Sequence, residues 1–179
     1  MKNINLKFID NLNDILPFKD AIWKLLLLCD KDFYPPLSER ENDSNGPFKY
    51  FESLLVDEAK FVLALDEEKL VGFSIFYHNY YEDLLSQYTP CNYIKIACID
   101  PDYRGQKIAS KLNRFIENEL PFNLRLPFIV RRTWSSNFPQ MSLLQNYGYS
   151  LFHSFENDRG NGISTVYFSK CIEPMERIS

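Results

Sequence analysis

Between Tyr93 and Leu120 the chain changes hydrophobic period once, and that change restricts the folds open to it. In "YIKIACI", residues 93–99, Ile94, Ile96 and Cys98 alternate with Lys95 and Ala97, the period of a strand. After the turn "DPDYRG", residues 100–105, the residues Ile108, Leu112, Phe115, Ile116 and Leu120 mark the buried face of a helix that Pro121 ends. A strand that feeds a helix through a short polar turn belongs to folds in which helices cover a sheet.

The remaining segments extend that pattern. "INLKFI" alternates as a half-buried strand, and Asn13 or Asp14 then caps a helix carrying Ile15, Phe18, Ile22, Leu25, Leu26 and Cys29, with Pro17 tolerated in its first turn. "KDFYPPLSERENDSNG" reads as a surface loop. A second helix starts at Pro47 with Phe48, Phe51 and Leu55 on one face. "FVLAL" and "LVGFSIFY" form a hairpin around "DEEK", the stretch from Tyr80 to Tyr93 is irregular, and "PFIVRRTW" is a further strand. "SSNFPQMSLLQNYGY" is a short helix capped by Asn137, with Gln140 three residues on and Gly148 as its stop. "YSLFHSF" and "STVYFSK" close the chain as paired strands around "NDRGNG". The order βααββ-βα-βα-ββ predicts one α/β domain over residues 1–179, with a mixed central sheet of six to seven strands and helices on both faces.

Composition narrows the function classes. A chain of 179 residues buries roughly 70% of its unfolded surface and needs no disulfide or metal staple. Its net charge of -4 disfavours general nucleic-acid binding, which requires concentrated basic surface. Cys29, Cys91, Cys98 and Cys171 show no CxxC spacing and read as reduced thiols, and no clustered ligands suggest a metal. "MKNINLKFIDNLNDIL" is too polar for a secretory signal, and "AIWKLLLLC" is too short to span a bilayer. The expectation is a soluble, cytoplasmic protein without a membrane partner.

The turn after Asp100 reads either as an anion site or as an ordinary strand-to-helix connection. At the carboxyl end of a strand and the amino end of a helix, backbone N–H groups lack intrahelical partners and point outward with the positive end of the helix dipole. Such a place suits a phosphate, and Gly105 lets the backbone come close to one. Arg104 and Lys107 add positive charge or serve as solvated surface residues. The chain contains neither GxxxxGK[ST] nor GxGxxG, which sets aside the P-loop and the dinucleotide fingerprint.

The run "IKIACIDPDYRGQKIASKLNRFIENEL" resembles the acetyl-CoA-binding segment of the GNAT superfamily of N-acetyltransferases. The resemblance implies a corner at Ile99 and Pro101 and a pyrophosphate cradle of Arg104, Gly105, Gln106, Lys107, Ile108, Ala109 and Ser110, with Lys107 where the family's middle glycine usually stands. With helical dihedrals at 107, a side chain would cost little there. "NFPQMSLLQNYGY" is similar to a second GNAT segment, which makes Asn137 a CoA contact as well as a cap. The similarity in element order extends over about residues 4–171.

The same resemblance implies direct transfer of an acetyl group from acetyl-CoA, as co-substrate, to a primary amine. A backbone N–H on the strand before the loop polarises the thioester carbonyl; by spacing it falls at Ala97, with Cys98 the near alternative. The family's proton-donating tyrosine is replaced by Leu144, which leaves Tyr147 as the candidate acid and Glu82, beside Asp83, as a candidate base. His78 and His153 read as structural, and Cys98 as a core thiol without an identifiable activating partner. Leu144 and Lys107 also motivate an alternative, a catalytically silent acyl-CoA-binding module. The segments that would line an acceptor site, "PPLSERENDSNG", "YHNYYEDLLSQY" and "ENDRGNGIST", are acidic and aromatic, so the expected acceptor is a small cationic molecule, polyamine-like or an amino sugar, or an exposed protein amine. An edge strand near Ile163 to Phe168 would offer a homodimer interface.

Overall fold

The alternating and helical patterns fold, in a computed structural model, into seven strands and five α-helices among the described residues, 3–39 and 46–172. The strands are β1 (Ile4–Ile9), β2 (Ala59–Asp66), β3 (Lys69–Tyr80), β4 (Cys91–Ile99), β5 (Phe128–Trp134), β6 (Ser150–Phe155) and β7 (Thr165–Cys171). The helices are α1 (Leu12–Ile15), α2 (Lys19–Leu28), α3 (Gly46–Leu54), α4 (Ile108–Arg114) and α5 (Phe138–Asn146). One mixed sheet has the order β1-β2-β3-β4-β5-β7-β6, so the expected α/β class and strand number are what the chain adopts. β4 and β5 are parallel, while β5 with β7 and β6 with β7 are antiparallel.

The chain divides into two compact units. The first comprises residues 1–76 and 95–119. In it β1 pairs antiparallel with β2 from Ile4↔Asp66 to Ile9↔Phe61. Its core is built from Ile22, Leu26, Phe51, Leu54, Phe61, Leu63, Phe73 and Ile75, all nearly or fully withdrawn from water. α4 buries Ile108 and Leu112 and runs into a π-turn over Phe115–Glu119 that buries Ile116, as the helical spacing predicts.

The second unit comprises residues 77–94 and 120–179. β5 pairs with β7 along its whole length, from Phe128↔Cys171 to Trp134↔Thr165. Asn137 caps α5 by accepting from Gln140 N–H at 3.3 Å, and Gly148 ends that helix with φ of 81°. His78 Nδ1 lies 2.9 Å from Asn92 Oδ1, and Asn92 Nδ2 donates to Leu124 O at 2.9 Å, a structural pairing as expected for that histidine.

Four expectations change. The first helix is capped by Asn11, whose side chain accepts from Asp14 N–H at 3.0 Å, rather than by Asn13 or Asp14. Pro17 sits in a 3₁₀ turn, Leu16–Phe18, between α1 and α2, because a proline nitrogen cannot donate within a continuous helix. On α3, Leu54 rather than Leu55 is fully buried, and Phe48 stays partly exposed, edge-on to Trp23 at 5.5 Å. The segment Ile163–Phe168 is no sheet edge: β7 is enclosed by β5 and β6, so it offers no free strand for a homodimer. Part of the loop expected between the first two long helices, residues 40–45, lies outside the described residues.

Candidate functional site

The turn after β4 is held from beneath by the β2–β3 hairpin, all within the first unit. Asp100 Oδ1 accepts from Asp102 N–H at 3.0 Å, and its other oxygen meets Lys69 Nζ at 2.9 Å. Lys69 Nζ also lies over the Tyr103 ring, 4.7 Å from its centroid, while Tyr103 OH donates to Asp66 Oδ2 at 2.7 Å. Burial works against ionisation of Asp100, but the Lys69 ammonium and the Asp102 N–H hold its carboxyl below the usual range. The 3₁₀ turn Pro101–Tyr103 is thus fixed at both ends by charge.

Close approach is the second device. An added Cβ at Gly72 on β3 would stand 2.9 Å from Ile99 Cδ1, 3.1 Å from Ile108 Cγ2 and 3.3 Å from Cys98 O. Glycine is therefore what allows the end of β4 and the first residue of α4 to settle on β3. This contact sets where the loop between them stands.

Within that loop Gly105 has φ of 77° and a Cβ there would meet nothing within 4 Å. Its glycine answers backbone conformation and leaves open space in front of the chain. Lys107 has φ of 61° and ψ of 22°, a left-handed N-cap with no side-chain cap bond, so the expectation of helical dihedrals there fails. A side chain in this conformation carries strain, which explains why a glycine would suit the position. The first backbone bond of α4 runs from Lys111 N–H to Lys107 O at 3.0 Å. An uncapped helix start behind an open glycine fits the pyrophosphate of a nucleotide-like cofactor. Gln106 and Lys107 are exposed, Ile108 is buried, and Ala109 and Ser110 are half-buried. Arg104 makes a two-pronged contact with Asp32, Nη1 donating to Oδ1 at 3.3 Å and Nη2 to Oδ2.

Ala97 is the exposed residue of the inner half of β4. Asp100 N–H donates to Val71 O on β3 at 2.9 Å, and the two-residue alternation of a strand turns the Cys98 and Ile96 amides the same way. The Ala97 amide consequently faces the edge of β4 away from β3. Cys98 is buried, and burial followed by the neighbouring Cys29 thiol pushes its thiol up, so it is a protonated core group rather than a nucleophile. Ile99 is half-buried and its carbonyl accepts from Cys29 Sγ at 3.5 Å.

The other candidates lie in the second unit. Asn137 spends both ends of its amide locally, Oδ1 on Gln140 N–H and Nδ2 on Thr133 Oγ1 at 3.1 Å. Leu144 is fully buried, and Tyr147 follows α5 as its partly exposed C-cap residue. Glu82 Oε2 accepts from Tyr80 OH at 3.2 Å. The Tyr80 ring stacks on Tyr93 with centroids 4.8 Å apart, and Arg132 Nη1 donates to Tyr167 OH at 3.2 Å. The acidic and aromatic segment "YHNYYEDLLSQY" already contained Tyr80 and Glu82, whereas the sequence did not single out Tyr93, Arg132 or Tyr167. Among the described residues no group of three or more His, Cys, Asp and Glu could hold a metal ion, and no helix is long and apolar enough to cross a membrane.

Comparison with known proteins adds a family. The model of the acetyltransferase (GNAT) family matches residues 20–149, well over half of the chain. No curated protein sequence matches it. Among solved structures, the ribosomal-protein-S18-alanine N-acetyltransferase from Escherichia coli is similar with a TM-score of 0.68 at 13% identity, covering 99% of each chain. An aminoglycoside 6'-N-acetyltransferase complexed with coenzyme A has a TM-score of 0.69 at 16% identity, covering 96% of this chain and 98% of that one. The yncA protein from Salmonella typhimurium, with its cofactor acetyl-CoA, has a TM-score of 0.61 at 13% identity over 97% and 96% of the two chains.

Proposed function

From the premise that this chain belongs to the acetyltransferase (GNAT) family, we propose that it is an N-acetyltransferase that moves the acetyl group of acetyl-CoA directly to a primary amine, working as one domain over residues 1–179. The observation that carries the reading is the loop from Arg104 to Ser110: an open Gly105, an uncapped helix start and a basic side chain at 107, all fixed by Gly72 and the Asp100–Lys69 pair. Gly105, Gln106, Lys107, Ile108, Ala109 and Ser110 would hold the pyrophosphate through their amides, with Ile99 lining the corner and Asn137 a further contact. Arg104 would contribute its backbone while Asp32 holds its side chain.

Bound acetyl-CoA supplies a thioester whose carbonyl carbon is attacked by the amine nitrogen as the C–S bond breaks and CoA leaves as its thiol. The Ala97 N–H, turned away from β3, would donate to the carbonyl oxygen as negative charge grows there. Glu82, aligned by the Tyr80 hydroxyl, receives the proton that an ammonium must shed before it can attack. Tyr147 is the proposed proton donor to the departing sulfur, since Leu144 is sealed in the core and has no proton to give. The acceptor is an amine that arrives as its ammonium, on a small molecule or an exposed protein site.

The complete burial of Leu144 favours one second reading, an acyl-CoA-binding module without turnover. Thiol release measured across a panel of amines, beside calorimetric binding of acetyl-CoA, separates the two. Binding with amine-dependent release supports the transferase; binding with no release from any amine supports the silent module. Absence of acetyl-CoA binding overturns both.

A further inference from the structure

Five side chains of the second unit, none of them in the proposed acetyl-CoA loop, form a cluster: Tyr80, Glu82, Tyr93, Arg132 and Tyr167. Two of the phenols are almost closed to water, Tyr93 at 3% and Tyr167 at 4% exposure. Tyr93 lies against Tyr80 with 28° between the ring planes, giving a flat aromatic wall. Each charged head is tied to a phenol, Glu82 to Tyr80 OH and Arg132 to Tyr167 OH, both at 3.2 Å. Arg132 faces Tyr167 directly in the β5–β7 register, so its guanidinium starts from a rigid strand position. It is nonetheless exposed, unlike its neighbours Arg131 and Thr133, which are buried.

Electrostatics places both charges around the same rings. Burial pushes the Tyr93 and Tyr80 hydroxyls up; the Glu82 carboxylate raises both further, and the Arg132 guanidinium opposes it at both. The phenols therefore keep their protons and remain donors, while a carboxylate and a guanidinium bracket the wall they form. A purely cationic acceptor would gain from Glu82 and be repelled by Arg132. A molecule with an amine and an acid a few bonds apart is served by both, because a guanidinium presents paired N–H donors that match the two oxygens of a carboxylate.

We propose that this cluster is the acceptor subsite and that the acceptor is a small amino acid: Arg132 takes its carboxylate, the Tyr80 ring, backed by the buried Tyr93, packs its carbon skeleton, and Glu82 receives its ammonium. The proposal rests on the transferase reading and narrows its acceptor from an ammonium in general to a zwitterion. Arg132 is then the residue that determines specificity.

The test pairs each standard amino acid with its C-terminal amide in a thiol-release assay, with acetyl-CoA binding measured on the same samples. The free acid of at least one pair is expected to be acetylated at least tenfold more efficiently than its amide. Arg132→Gln should raise KM for that acid by roughly 10–100-fold, the range for a lost charge-assisted hydrogen bond, with kcat little changed and the amide's KM unmoved. Arg132→Lys, which keeps the charge and loses the fork, should fall between. Equal use of acid and amide by the unaltered protein overturns the proposal, as does acetylation of neither member of any pair. A loss in Arg132→Gln that is equal for acid and amide overturns it too. In each of these cases, acetylation of any other amine leaves the transferase reading standing; that reading falls only when acetyl-CoA does not bind or when no amine triggers thiol release.

Discussion

Replacing Gly72 by alanine tests how the cofactor loop is positioned. The added methyl would lie 2.9 Å from Ile99 Cδ1, 3.1 Å from Ile108 Cγ2 and 3.3 Å from Cys98 O, against the ~3.5–4.0 Å of a relaxed carbon contact. Ile99 Cδ1 ends a flexible side chain and can yield by a rotamer change of about 0.5–1.5 kcal/mol. Ile108 Cγ2 branches from Cβ and moves only with the start of α4, and Cys98 O moves only with β4. Overpacking of this kind costs about 1–3 kcal/mol. For a chain of this length about 2 kcal/mol lowers Tm by about 4–8 °C. Because the displaced residue opens the cofactor loop, acetyl-CoA affinity should fall roughly tenfold, equivalent to about one hydrogen bond. Ile99→Val removes the methyl in closest conflict, so Gly72→Ala with Ile99→Val should lose less stability than the two single changes added together. Scanning calorimetry and isothermal titration on the four proteins read both effects. A Gly72→Ala protein with unaltered Tm and affinity, or strict additivity in the cycle, refutes the reasoning.

Three further outcomes follow from the same geometry. Lys107→Gly relieves a left-handed side chain and should raise Tm by about 1–3 °C, the equivalent of ~0.5–1 kcal/mol, while weakening acetyl-CoA binding and flattening its salt dependence; tighter binding would mean that the lysine obstructs the site. Asp100 titrates below its unfolded value of about 3.9, so its contribution to stability is complete above that pH and is lost as pH falls through the lowered folded value; Asp100→Asn should remove this part of the decline in Tm below about pH 4, and parallel curves would contradict it. Asn137→Ala breaks the bonds to Gln140 N–H and Thr133 Oγ1 and should cost about 1–2 kcal/mol in thermal unfolding, whereas Asn137→Asp, which keeps the cap acceptor, should cost less.

Local pattern explains why so much of the fold was legible. Ile94, Ile96 and Cys98 are buried while Ala97 faces solvent, Ile108, Leu112, Ile116 and Leu120 are buried along the following helix, and Asn137 and Gly148 end α5 as their chemistry dictates. The failures share a cause, since each depends on a partner distant in sequence or on dihedrals that composition does not encode. Strand order placed β7 inside the sheet, although hydrophobic alternation looks the same on an inner and an outer strand. Asn11 won the first cap because Asp14 N–H stands where it can donate to the Asn11 side-chain oxygen, while Asn13 and Asp14 became helix residues. The left-handed dihedrals of Lys107 are not encoded by a lysine; the only hint of them is the glycine that the resembled family usually has at this position. The Tyr80–Tyr93–Tyr167 cluster draws on β3, β4 and β7, with Arg132 from β5, which only the folded register brings together.

The loop from Arg104 to Ser110 is the center of this account, and amide NMR of the labelled protein titrated with acetyl-CoA addresses it most directly. Saturable shifts concentrated at Gly105, Gln106, Lys107, Ile108, Ala109 and Ser110, with a further shift at the Ala97 amide, are the predicted result. No saturable shift, or shifts confined to residues elsewhere, would contradict it.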